Sequence, residues 1–387
     1  MILNLIAAMP LYVCVFLSVE LVLSLFRKYD PSRACLLIWA LVASTLYGMH
    51  YVYFHHVEAW LPLTDSIYSA CNLSVYPMYL IYIYELTSDG PRRRRVGWMV
   101  ALLAAAALVG TVVQVLYWQM SPAELHEFIE GYLYGKFHVS DAGVVGLQAA
   151  VHDIYHSLFI VTVVATVVVG FSRIHRYNQL VDSLYADPEG KSLRGISVIL
   201  ILMVVIGMSS VIVNILGRHS FVSSDWLALP SVTFSCLLFA IGHEGLWLQF
   251  SIRNIEDDEA KTVIAHESYE SLESYESHGI QEGGAETTEL PALTVKLRYL
   301  VEEERMFTQP DLRLDDLARK LGTNRTYLLR AMRQDLQMTF SEYINRQRIL
   351  YAQALMKAHP DWSKADIATQ VGYASLSSFY RNLREWQ

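Results

Sequence analysis

Seven long apolar runs fill the first 255 residues, at roughly 3–26, 34–54, 66–86, 96–118, 148–171, 196–216 and 227–250, with short polar segments between them. Each is close to the ~20 residues that a helix needs to cross a ~30 Å hydrocarbon core. One buried core helix of that length is unusual in a soluble protein. Seven in succession predict a transmembrane bundle, with six or eight spans as the neighbouring counts. From Leu290 the pattern changes to short amphipathic helical periods, the longest over 339–358. The expected fold is therefore all-α: a seven-helix transmembrane bundle over 1–255, followed by a small all-helical domain over 290–387.

Basic residues orient the bundle. The segments after the first, third and fifth runs hold Arg27, Lys28 and Arg33, then Arg92 to Arg95, then Arg173, Arg176, Lys191 and Arg194. The intervening segments hold Lys136 and Arg218. This alternation places the N-terminus outside and the C-terminus in the cytoplasm. The first run begins at once, without the basic region and cleavage site of a signal peptide.

Composition fits: 53% of the 387 residues are hydrophobic and 18% are charged, away from average soluble usage. The net charge of −8 conceals a split. Residues 256–289 hold eleven acids against one base, Lys261, with the low-complexity run ESYESLESYES at 267–277. So little apolar surface does not offset ordering entropy, which predicts a disordered acidic tether. Its reach of about 35 Å would hold a small domain clear of a bilayer. Residues 290–387 hold fifteen Lys and Arg against eleven Asp and Glu, a basic balance suited to a polyanion.

Within that basic tail one heptad is stated twice, DLARKLG at 316–322 and DIATQVG at 366–372. Ala318 and Ala368 permit close helix crossing, and Gly322 and Gly372 permit one helix to end and another to begin steeply. Each heptad is the signature of a helix-turn-helix. In the helix after Gly322, Leu328 and Met332 are spaced to face inward, with Thr326, Leu329, Arg330 and Arg333 outward. In the helix after Gly372, Phe379 and Leu383 are expected inward, and Ser377, Ser378 and Arg381 outward. Thr339 with Glu342, and Ser363 with Asp366, form expected capping boxes. Two such units on one connecting helix could enter successive major-groove turns about 34 Å apart.

The stretches LDDLARKLG, YLLRAMR, FSEYINRQR, DIATQVGY and SSFYRNLRE resemble the AraC/XylS family of bacterial transcription regulators over about 311–386. The resemblance implies sequence-specific binding of double-stranded promoter DNA. By position it implies base reading by Arg325, Thr326 and Arg330 in the first helix, and by Leu376, Ser377, Ser378 and Arg381 in the second. Three positions depart from the family pattern. Gln337 stands where a Gly is usual before MTF. Ala374 stands where a small hydroxyl is usual, leaving Ser375 to cap one residue later. The chain stops at Gln387, where the family continues into a closing helix, which implies a weaker second motif that a homodimer held in the membrane would offset. The membrane part resembles, more loosely, the seven-span sensor regions of membrane-embedded members, most closely over SVYPMYLIYIYELTSDGP at 74–91.

Ionisable residues inside spans are costly and are functional hypotheses by default. Glu20 in the first run and His243 with Glu244 in the seventh fall at similar depth and could pair as a switchable link to the tail, the alternative being a static packing contact. Eight of the thirteen histidines fall in the outer half: His50, His55, His56, His126, His138, His152, His156 and His219. His152 and His156 share a helix face and could titrate near neutrality, share a metal of unknown identity, or make ordinary hydrogen bonds. Pro77 would kink its helix and line a cavity. The Arg92–Arg95 run is expected to anchor in membrane lipid headgroups. Cys14, Cys35, Cys71 and Cys236 lack metal-ligand spacing and read as buried thiols.

No phosphate-cradling Gly loop, nucleophile elbow or kinase signature is present in the sequence, so no enzyme and no cofactor are expected. The expected function is a one-component sensor: an unknown signal ligand acts on the membrane part and DNA binding responds. The alternatives are a receptor or transporter whose tail binds protein, and a regulator released by proteolysis.

Overall fold

The computed structural model describes residues 2–88, 92–216, 228–248, 251–255 and 290–386. The expected tether at 256–289 lies outside the described residues. The chain divides into two compact units, Met1–Ile174 with Leu193–Ile252, and His175–Ser192 with Arg253–Gln387.

The first unit holds α1 (Ile2–Arg27), α2 (Pro31–Phe54), α3 (Leu61–Thr87), α4 (Arg92–Gln119) and α5 (Pro122–Glu127). It continues with most of α6 (Gly143–Leu184), α7 (Arg194–Leu216) and α8 (Ala228–Trp247). A helix lies at each of the seven apolar runs. Five helices among the described residues are long and apolar enough to cross a membrane: Leu5–Arg27, Pro31–Phe54, Arg93–Gln119, Gly143–Leu184 and Ala228–Ile255. In α7 the shorter apolar helix Arg194–Val205 stands out. The reason α3 falls short is chemical. Thr64, Asp65, Ser66, Ser69, Asn72, Ser74 and Glu85 interrupt its apolar run, and all of them are buried. Helix α3 packs on α2 and α4, where Asp65 meets Tyr53 and Tyr117 and Glu85 meets Arg95, while Ser66 and Ser74 bond carbonyls of their own helix. Its crossing with α4 is close: a Cβ on Gly110 would meet the Ser66 carbonyl oxygen at 2.6 Å.

The second unit holds the end of α6 and the segment that follows it, then α9 (Leu290–Arg298), α10 (Leu314–Lys320), α11 (Arg325–Ala331), α12 (Phe340–Ala358), α13 (Lys364–Gln370) and α14 (Leu376–Glu385). Ser363 and Asp366 cap α13 reciprocally, and Thr339 and Glu342 do the same for α12, with Thr339 N donating to Glu342 Oε2 over 2.7 Å. Helix α12 packs Ile349 and Ala352 against Ile367, Ala368, Val371, Phe379 and Leu383 of the last two helices. Full burial of a side chain the size of Phe379 contributes about 1.5–3 kcal/mol. Leu317, Leu328, Ala331 and Met332 are buried in the first helix pair.

Candidate nucleic-acid interface

In each pair a short helix stops at a glycine in the left-handed region, Gly322 at φ +63° and Gly372 at φ +91°. Glycine is also required at 372 by space, since a Cβ there would lie 2.6 Å from the Thr308 carbonyl oxygen. The next helix then starts on a side-chain cap. Asn324 accepts the Tyr327 amide over 3.0 Å, and Ser375 accepts the Ser378 amide over 3.1 Å. Ser375 thus caps in place of position 374. Gln337 sits at φ 54°, so the turn before α12 keeps the conformation that a glycine would adopt without strain.

On the first pair, Thr326, Arg330 and Arg333 are exposed and Leu329 is half-buried. Arg325 is less free than its neighbours. Its guanidinium makes two parallel 3.1 Å bonds to the Asp315 carboxylate, which ties the start of α11 to α10.

The second pair departs from expectation. Leu376 and Ser377 are exposed and Arg381 is half-buried, but Ser378, expected to face outward, is fully buried. What covers it is the segment after α6. Ser378 Oγ lies 2.8 Å from Asp187 Oδ1 and also contacts Glu189. Ser375 Oγ donates to Glu189 Oε2 over 2.7 Å, and Ser377 Oγ bonds the other Glu189 oxygen. Arg381 stands 3.8 Å from Asp187. Burial alone would raise the Glu189 carboxyl. The hydroxyls of Ser377, Ser378 and Ser375, with the charge of Arg381, outweigh it and hold the group below its ordinary value.

The same segment is seated further back. The Ala186 carbonyl accepts from Asn345 Nδ2 over 2.7 Å and from Ser341 Oγ over 3.1 Å, both on one face of α12. Its amide donates to the Leu312 carbonyl, and Tyr185 bridges to Arg313. No local spacing in the sequence marks Asp187 and Glu189, whose partners lie on α14.

The remaining candidates lie in the first unit. Asp65, at the start of α3, is buried and receives three partners: the hydroxyls of Tyr53 and Tyr117, the latter at 2.7 Å, and His152 Nε2 at 2.7 Å. His152 Nδ1 donates to the Gln148 carbonyl over 2.9 Å. Both ring nitrogens of His152 are therefore engaged. His56, Glu58 and Glu130 bring ligand atoms within 4.8 Å of one another, but Lys136 already sits on Glu130. Glu20 and α8 do not pair as expected. Helix α1 packs on α8, yet the His243 ring lies between Phe239 and Trp247, and Glu244 lies against Gly195. No ion pair joins Glu20 to either residue among the described residues. Pro77 does line a cleft of about 630 Å³, together with Leu80, Tyr84, Arg94, Trp98 and Arg173.

Residues 317–387 match the family described as Helix-turn-helix domain. Over 75 residues the chain is 33% identical to the Regulatory protein PocR of Salmonella typhimurium, covering 19% of this chain and 24% of that protein. Over 75 residues it is also 31% identical to the Msm operon regulatory protein of Streptococcus mutans, covering 19% of this chain and 27% of that one. The chain thus spans about a quarter of the length of these curated relatives. No solved structure matches it.

Proposed function

We propose that this protein is a membrane-anchored, one-component transcription regulator that reads double-stranded DNA with two helix-turn-helix motifs. The observation that carries the reading is the repeated glycine-broken helix pair, within the segment that matches the helix-turn-helix family. The first pair presents Thr326, Arg330 and Arg333 to solvent. Arginine on an exposed recognition helix suits bidentate bonding to guanine edges, and neighbouring basic residues suit phosphate. The second motif would read with Leu376, Ser377, Ser378 and Arg381.

In this reading the apolar helices hold the protein in the inner membrane, with the C-terminal domain in the cytoplasm. A signal received by the membrane unit, for which the Pro77-lined cleft is the candidate entry, changes DNA binding through its differential affinity for two states. Homodimerisation in the membrane would set the spacing of DNA half-sites.

The test is binding-site selection from random duplex DNA with the 290–387 fragment near physiological salt. The expected outcome is one enriched motif with two half-sites about a helical turn apart. Enrichment of no sequence, together with retention of a protein partner, would replace this reading with that of a receptor bearing a protein-binding tail.

A further inference from the structure

The second recognition helix is already occupied by part of its own chain. All three hydroxyls at the start of α14, those of Ser375, Ser377 and Ser378, contact the Glu189 carboxylate. Asp187 adds a second carboxylate against Ser378 and Arg381. Ser377, Ser378 and Arg381 are residues that the second motif would use on DNA. A helix N-terminus with free hydroxyls and a nearby guanidinium is an anion-binding arrangement. On DNA the anion would be a phosphate or an acceptor edge of a base. Here it is a pair of side-chain carboxylates.

We propose that the segment Tyr185–Glu189 is an intramolecular competitor of DNA, whose two carboxylates take the anion positions on α14 and keep the second motif from reading a duplex. The inference rests on the DNA-reading function proposed above. Its machinery has two parts with different chemistry. The anchor is Ala186, fully buried, whose main-chain carbonyl satisfies two donors on α12. The gate is Asp187, buried, and Glu189, half-buried, whose contacts are hydroxyl–carboxylate bonds and one ion pair to the half-buried Arg381. Such contacts exchange readily for phosphate, because a duplex supplies the same kind of acceptor in greater number. Gly190, at φ +71° and with open space around its Cβ position, lets the chain turn away directly after the gate. DNA and loop therefore exclude each other at α14, and a signal that draws the segment after α6 off α14 frees the second motif.

The experiment uses the full chain in lipid nanodiscs and a random-sequence duplex pool. The wild type is compared with Asp187→Asn/Glu189→Gln, and with Glu303→Gln/Asp361→Asn, which removes two exposed carboxylates of the same unit that lie outside both recognition helices. The gate variant is expected to enrich a motif and bind it at least tenfold more tightly than the wild type, while the control pair stays near wild type. Equal affinity of wild type and gate variant for the same motif overturns the competition and leaves the DNA reading standing. An equal gain in the control pair also overturns it, since net charge alone would then suffice. Absence of any motif in all three overturns the DNA reading and the competition with it. A second measurement does not depend on a variant that folds. Saturating wild type with the enriched duplex is expected to speed amide exchange at Glu189 and Lys191, which bond Asp187 and Pro188 in the docked loop. Unchanged exchange there overturns the proposal.

Discussion

Ser378 Oγ lies 2.8 Å from Asp187 Oδ1, although 191 positions separate the two residues. The contact turns a residue on the outward face of its helix into a fully buried one. The burial of Ser378 is therefore conditional on where the loop sits, whereas that of Phe379, one residue on, belongs to the core of the domain itself.

The loop's anchor is open to a direct stability test. Asn345→Ala removes the 2.7 Å bond to the Ala186 carbonyl and leaves only the longer one from Ser341. Loss of one hydrogen bond to an acceptor that keeps a second donor costs about 0.5–1.5 kcal/mol. We expect Asn345→Ala to lower the denaturation midpoint of the second unit by that amount and to speed exchange of the Ala186 amide. An unchanged midpoint would mean that the carbonyl is not held.

Glu189 predicts how the dock responds to acid. Its carboxyl is depressed in the docked state, so the stabilisation it gives is fully present above its ordinary value of 4.5 and is lost as pH falls through the lowered one. Amide protection at Glu189, corrected for intrinsic exchange, should stay level from neutral pH down to the ordinary carboxylate range and drop below it. Loss of protection near neutrality would show that some other group holds the loop.

Gln337 carries a positive φ that glycine adopts at no steric cost. Gln337→Gly should stabilise the domain by about 0.5–1 kcal/mol, the relief of the left-handed strain less the extra freedom of the unfolded chain. A urea titration reads this as a higher midpoint at constant slope. A lower midpoint would mean that the glutamine side chain contributes more than its backbone costs.

Asp65 gathers Tyr53, Tyr117 and His152 inside the first unit. Removing the Asp65 carboxylate leaves buried donors without their acceptor, at about 1–3 kcal/mol each. Asp65→Ala should therefore lower the thermal midpoint of the detergent-solubilised protein sharply, and His156→Ala far less. Equal effects would deny Asp65 its central place.

On DNA, Arg330 and Arg333 should separate by role. Arg330→Ala is expected to lose about 1–3 kcal/mol of discrimination at one base position. Arg333→Ala is expected to weaken all duplexes alike and to reduce the salt slope by about one. The reverse assignment would appear as a uniform loss for Arg330→Ala.

Much of this was legible locally. The capping boxes at Thr339 and Ser363, and the inward Leu328 and Phe379, depend on neighbours within a few positions, and spacing alone reveals them. The apolar runs mark the helices of the first unit, but hydropathy misjudges α3, whose polar residues are tolerated because three neighbours satisfy Asp65. Glu20, His243 and Glu244 were matched by depth, and depth does not determine which way a side chain turns about its helix. The contacts of Asp187 and Glu189 were illegible because their partners lie nearly two hundred positions away, and loop composition carries no trace of so distant a seat.

The loop's deepest hold is a main-chain oxygen, that of Ala186. Every amino acid carries that atom, so no change of side-chain chemistry at position 186 deletes it. Only bulk can, because the residue is fully buried and a larger side chain has nowhere to go. A genetic screen for constitutively active alleles would accordingly find two kinds of lesion in this stretch. Enlargements would cluster at codon 186 and charge losses at codons 187 and 189, and silent drift elsewhere in the loop would go unselected.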